Sequence, residues 1–262
     1  MKKETAWKIK LTTIVIVILG LAFFFRSGWK PSGHFNLNGG TIEITVEEPN
    51  TKIYIDNIEE YETKSVNETY TASSVSAQNH SVAISKKGYW PWLKNVDVAK
   101  DETVKLRPFS LSQTPMAKEI DTTDPAYTKV RTDFYSHSSP SEWNKLSSPH
   151  AIYKVWVDNN TIFAELADGN KNPPPFFCPN TVCATRVEVL TSTKNIDDVS
   201  FYKDFDDVLI FSNEDGVYAL DLNKNGTQNF QPYFPFPHAR FLRYEDTLYI
   251  LVGDSIKAVS LK

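Results

Sequence analysis

Little in this sequence is built for chemistry. No Gly-x-Ser-x-Gly elbow, His-Glu-x-x-His helix, phosphate loop or dinucleotide fingerprint occurs in its 262 residues, so the enzyme classes those frames define find no support. Histidine is scarce: the five (His34, His80, His137, His150 and His238) are scattered, and none sits in a nucleophile or metal frame. No catalytic, cofactor-binding or metal-ligating residue is expected on this ground. A basic face is missing too. Lys and Arg number 28 against 32 Asp and Glu, with both signs mixed along the chain, which removes nucleic acid as a partner. The acidic pairs Glu47-Glu48, Asp197-Asp198 and Asp206-Asp207 have the residue types of glycosidase carboxylates, but adjacent acids commonly mark turns and solvated sheet edges.

Long hydrophobic runs are also absent, with one exception. Leu11–Phe25 carries no charge, is preceded by Lys2, Lys3, Lys8 and Lys10, and is followed by Arg26 and Lys30. At ~1.5 Å per helical residue the run is slightly short for a ~30 Å hydrocarbon layer. Trp7 and Ile9 extend it, because the lysines between them can snorkel. The charge bias puts the N-terminus on the cytoplasmic side. The run ends Phe23-Phe24-Phe25-Arg26 without a small-x-small cleavage site, which favours an uncleaved signal anchor over a secretory signal. No cysteine comes directly after it, so a lipoprotein is not expected. The expectation is a single-pass plasma-membrane protein with residues 1–30 as stub and anchor and everything beyond displayed outside the cell.

Beyond the anchor the chain reads as β. Short runs of strand formers alternate with Asn, Asp, Gly and Pro. In residues 40–110, Gly40–Val46, Lys52–Asp56, His80–Ser85, Asn95–Val98 and Thr103–Leu106 each show period-two alternation, and five such strands predict a small β-sandwich. The stretch between them, Glu59–Gln78, is polar and irregular. The two cysteines, Cys178 and Cys183, flank Pro179-Asn180. No further Cys or His lies near to complete a metal site, and a redox pair ordinarily has two intervening residues rather than four. In an oxidising compartment a local structural disulfide is expected.

The stretch Gly40–Asp56, then His80–Trp92 with its Lys87-Gly88-Tyr89 and Trp90-Pro91-Trp92, then Val96–Phe109 with its acidic turn, resembles a PEGA domain. The turn Pro49-Asn50-Thr51-Lys52 lacks the Gly-Ala of that family, and Asn57 stands where a Gly is usual. The resemblance implies a β-sandwich of extracytoplasmic bacterial or archaeal proteins acting in surface binding or assembly, with no catalytic residues. Tyr89, Trp90 and Trp92 offer flat faces for stacking a sugar; the same residues equally suit a sandwich core or its junction with a neighbour.

Residues 111–150 read as a Ser/Thr/Pro-rich connector with two short helices. One opens at Asp124-Pro125 and puts Tyr127, Val130 and Phe134 on one face; the other opens with the capping box Ser139-Pro140-Ser141-Glu142. Residues 151–262 repeat themselves. Asp207–Ile210 turns back into Val217–Leu220, and Asp246–Ile250 into Ile256–Val259, each return having Ala at its centre. A looser copy runs from Asn160–Phe163 to Val182–Thr185. An offset of about forty residues is one propeller blade, but a closed propeller needs at least ~4. The region therefore predicts an incomplete, propeller-like module, sealed by the helices and the sandwich or closed by another copy of the chain. Asp221-Leu222-Asn223-Lys224-Asn225-Gly226 opens like a calcium loop, but Pro232 stands where the closing Glu belongs, and Asn and Gly equally make a plain turn. The anchor, sandwich and hairpins together resemble envelope proteins of small-genome bacteria, with near-equivalents of Pro175–Cys178 and Gly226–Pro232.

The fold expected is thus an all-β ectodomain behind one transmembrane helix. The function expected is non-catalytic binding or scaffolding at the cell surface, toward a cell-wall polysaccharide, an envelope protein or a second copy. A ligand-sensing ectodomain relaying through a partner is the alternative, and a polysaccharide hydrolase a third.

Overall fold

The computed structural model describes residues 39–136, 145–169, 172–178 and 182–261. The expected anchor and the helix expected from Ser139 lie outside the described residues. Among the described residues no helix is long and apolar enough to cross a membrane.

The first module holds β1 (Gly40–Val46), β2 (Lys52–Ile55), β3 (Ile58–Glu62), β4 (Glu68–Val75), β5 (Asn79–Ser85), β6 (Trp92–Asp97) and β7 (Thr103–Leu106). They form two sheets, ordered β4-β1-β7 and β3-β2-β5-β6. The alternation read in the sequence aims one set of side chains inward: Ile42, Ile44 and Val46 of β1 are buried while their neighbours are not. They meet Ile53, Ile55, Val82, Ile84 and Trp92 of the second sheet. Each fully buried Ile contributes about 1.5–3 kcal/mol.

The stretch expected to be irregular is two strands, β3 and β4. Both lie at sheet edges, so little of them is covered and their composition stays polar; only Ala72 and Val75 of β4 are buried. The Tyr61 and Tyr70 rings stack 5.2 Å apart across them. Glu68 accepts hydrogen bonds from the Tyr61 hydroxyl and from the Lys64 and Ser65 amides, which together hold its carboxyl down at about 2. Asn50 (φ 55) and Asn57 (φ 65) adopt the left-handed conformation at two turns, where asparagine is the usual alternative to glycine.

The expected connector supplies parts of the next module. It contains β8 (Lys118–Ile120) and α1 (Tyr127–Ser136). The Asp124 carboxylate accepts the Ala126 amide before α1, and Val130 and Phe134, one turn apart, are the helix's buried residues.

Three four-stranded antiparallel sheets complete the chain. The first contains β9 (Leu146–Ser147), β10 (Tyr153–Asp158), β11 (Thr161–Leu166) and β12 (Arg186–Thr191); the second, β13 (Ile196–Phe201), β14 (Val208–Asn213), β15 (Gly216–Asp221) and β16 (Phe230–Phe234). The third contains β17 (Arg240–Tyr244), β18 (Thr247–Val252) and β19 (Ser255–Ser260), and β8 completes it by pairing Ile120 with Ile256. No closed barrel or propeller forms among the described residues.

The looser repeat is displaced by one strand from the expected position. Thr161–Leu166 is itself the returning strand, so Ala164 opposite Val155 corresponds to Ala219 opposite Ile210 and Ala258 opposite Tyr249. Val182–Thr185 is not a strand. The strand before Thr161 alternates as well, with Tyr153 and Val155 buried and Lys154 and Asp158 exposed.

The second sheet is covered on both faces, and every residue of β14 is buried. Val208 and Ile210 face the core shared with the sandwich and the third sheet; Leu209 and Phe211 face that of the first sheet. The third sheet turns Phe241, Leu248 and Ile250 into the shared core, while Ile256 on its other face packs against Val130 and Phe134 of α1.

Candidate functional site

The two modules meet along a polar seam centred on Lys94 and the Asp221–Gly226 loop. Lys94 sits on the inward face of β6 between Trp92 and Val96. Its ammonium reaches Asp221 Oδ2 at 2.9 Å and donates to the Asn223 carbonyl at 2.6 Å, with the Lys94 and Asp221 side chains 4% and 6% exposed. A buried ion pair of this kind contributes little net stability, but losing either partner strands the other. One sequence signal does point to it: a lysine in register with apolar neighbours demands a buried counter-charge.

This pair changes the reading of the calcium-like loop. Asp221 Oδ1 accepts the Asn223 amide, Asn223 Oδ1 accepts the Asn225 amide, and Gly226 completes the turn at φ +73. The loop holds a cation, but that cation is the Lys94 ammonium. Among the described residues no cluster of three His, Cys, Asp or Glu is placed to hold a metal ion.

Amides fasten the rest of the seam. The Asn229 side chain accepts from the Leu93 amide and donates to the Leu93 carbonyl, at 2.8 and 2.9 Å. This mimics a paired strand along β6, which is an edge of its sheet. Gln231 bridges two sandwich segments, accepting from the Leu111 amide and donating to the Pro91 carbonyl. Gly226 lies so close to the sandwich that a Cβ there would sit 2.1 Å from the Asn95 carbonyl oxygen. Asn225 lies just before it and donates to the Pro175 carbonyl. The loop is thereby fastened to the segment Pro175–Cys178. Beside it Cys178 and Cys183 are bonded, and the adjoining Phe176 and Phe177 pack against Tyr153.

Tyr89, Trp90 and Trp92 do not form one platform. Trp92 is in the sandwich core at 4% exposure, Trp90 packs against that core, and the Trp90 amide bonds to the Leu111 carbonyl. The alternation that places Lys94 inward also places Trp92 inward. Tyr89 is half-buried and has the Lys86 ammonium 4.5 Å from its ring centre.

Tyr89 instead lines a cavity of about 220 Å³ at the seam, together with Glu47 and Glu48 after β1, Tyr202 and Lys203 after β13, and Tyr233 of β16. The charges in and around it are matched. Glu47 binds Arg107 through Oε1 at 2.7 Å and Lys203 through Oε2 at 2.9 Å; Glu48 binds Lys86 through Oε2 at 2.8 Å. Tyr202 and Tyr233 are each 6% exposed, with rings 6.4 Å apart edge to face. Burial pushes both phenols well above their ordinary range, and the negative charges of Glu47 and Glu48 push Tyr202 further.

In each of the other acidic pairs one carboxylate is engaged by the fold. Asp198, 2% exposed, accepts from Ser212 and from the Phe241 amide and pairs with Arg240, tying the second sheet to the third. Asp206 accepts from the His150 amide and lies 2.6 Å from its Nδ1.

The class defined by fold and seam is an all-β protein of two joined modules. Residues 39–113 match the PEGA domain family model. The match covers the sandwich and stops short of β8. No curated protein matches the chain.

Proposed function

We propose that the chain is a non-catalytic, membrane-anchored envelope protein whose two β modules act outside the cell as one rigid binding or scaffolding unit. The seam carries this reading. Lys94, Asp221, Asn229 and Gln231 fix the sandwich on the repeat module, and both modules contribute residues to a cavity elsewhere on the seam. Pre-organised walls lower the ordering cost of holding a partner. The PEGA match at 39–113 and the charge-flanked run Leu11–Phe25 support surface display. The repeat module reads as an incomplete, propeller-like array whose third sheet is completed by β8 and covered by α1.

The test uses membranes from cells producing the full chain with a C-terminal tag. External protease is expected to remove the tag in intact cells, and the solubilised chain to sediment with purified cell-wall fragments or to cross-link to an envelope protein. A tag protected in intact cells and exposed only on lysis overturns the orientation. A chain that neither sediments nor cross-links overturns the binding role.

A further inference from the structure

We propose that the seam cavity is a subsite for one uncharged sugar unit, a hexose or N-acetylhexosamine, of a glycan held at the cell surface. The proposal deepens the binding role above and rests on it. Its first ground is the pair of tyrosines. Tyr202 and Tyr233 are each 6% exposed, and both line the cavity. Two phenols thus belong to one cavity wall, and a phenol hydroxyl can both donate and accept a hydrogen bond. Their raised pKa values keep them neutral donors through the physiological range.

The second ground is charge balance. Both Glu47 oxygens and one Glu48 oxygen are taken by Arg107, Lys203 and Lys86. A charged guest would enter without a free counter-ion and bear its desolvation cost. An uncharged polyol fits instead, since its hydroxyls both donate and accept. It can donate to the second oxygen of Glu48 and bond with Tyr202 and Tyr233. Its C–H face can lie on Tyr89 or on the apolar wall of Val46 and Leu111.

Size is the third ground. At about 220 Å³ the cavity falls below the ~300–1,000 Å³ of sites that enclose drug-sized ligands. It suits one ring, with neighbouring units of the glycan left outside.

The experiment titrates the full chain in detergent micelles with neutral mono- and disaccharides of hexoses and N-acetylhexosamines, read by saturation-transfer NMR and calorimetry. Lysine-rich and acidic peptides are run alongside. At least one sugar is expected to bind, with transfer concentrated on a single ring. Tyr202→Phe and Tyr233→Phe are each expected to weaken it about tenfold while leaving the near-UV circular dichroism of the chain unchanged. No sugar binding, unchanged affinity in both Phe variants, or a peptide binding in place of the sugars overturns the proposal. Sedimentation with wall fragments separates the two readings. If the Phe variants sediment like wild type, the envelope role stands and the cavity has no part in it. If free sugar binds but wall does not, the cavity assignment stands and the surface role falls.

Discussion

The sandwich and the repeat module solve burial differently. The sandwich keeps to strict alternation, with Ile42, Ile44, Ile53 and Ile55 inside and their neighbours more exposed; besides Lys94, its buried polar residues are Thr51, Thr63 and His80. The repeat module buries both faces of its middle sheet and keeps Asp198, Ser212, Asp221, Asn229 and Gln231 at its boundaries. Most of these polar groups are satisfied from another sheet or from the sandwich. One module is therefore close to self-sufficient, and the other is completed by its neighbour. The difference teaches where to look for dependence: at buried side chains whose partners lie more than a hundred residues away, as Lys94 and Asp221 do.

The largest effect should come from separating the two. A chain lacking residues 39–113 leaves Asp221, Asn229 and Gln231 without partners and strips the shared core. We expect it to aggregate or lose its near-UV circular dichroism, whereas residues 39–113 alone keep a cooperative, lower-melting transition. Two equally stable halves would abolish the distinction.

Lys94→Met strands Asp221 and should cost about 3–5 kcal/mol by denaturant titration; adding Asp221→Leu should restore most of it. Equal losses in the single and double variants would mean that the pair does not couple the modules. Gly226→Ala places a methyl against Asn95 at a positive φ and should cost about 1–3 kcal/mol, with increased hydrogen exchange in β6. Replacing Cys178 and Cys183 together by Ser opens a loop closed over a separation of only five residues. About 2 kcal/mol is expected, confined to the repeat module's share of the melt.

The smallest effect belongs to the sandwich. Glu68 has its carboxyl held at about 2 by Tyr61 and two amides, against an ordinary 4.5. Its contribution is therefore complete above about pH 4.5 and is lost as pH falls toward 2. Glu68→Gln should flatten the dependence of melting temperature on pH in that window. An unchanged slope would remove Glu68 as its source.

Legibility in the sequence divides along the same line. Strands with one wet face announce themselves by alternation, as β1, β2 and β5 do, and α1 by its cap and the spacing of Val130 and Phe134. The edge strands β3 and β4 do not, because exposure leaves composition unconstrained at most of their positions. β8 is illegible for another reason: three residues carry no periodicity, and its partner lies at the far end of the chain. In the site, Tyr89 lines a cavity, but not in the company expected of it. Trp90 and Trp92 face the core, while Tyr202 and Tyr233 come from a distant loop and strand that nothing local links to Tyr89. The Asp221–Gly226 turn is legible from its Asn and Gly, but only tertiary structure brings Lys94 to it.

The pairing of Ile120 with Ile256 gives the fold a test of its own completeness. Synthesis releases β8 and α1 early, and they must wait for β17–β19 before the third sheet can form. Such distant contacts are slow to close and leave edges exposed meanwhile. A chain cut short by its last hairpin would thus betray itself at the start of the module, with an unpaired strand and an uncovered helix for quality-control proteases to find.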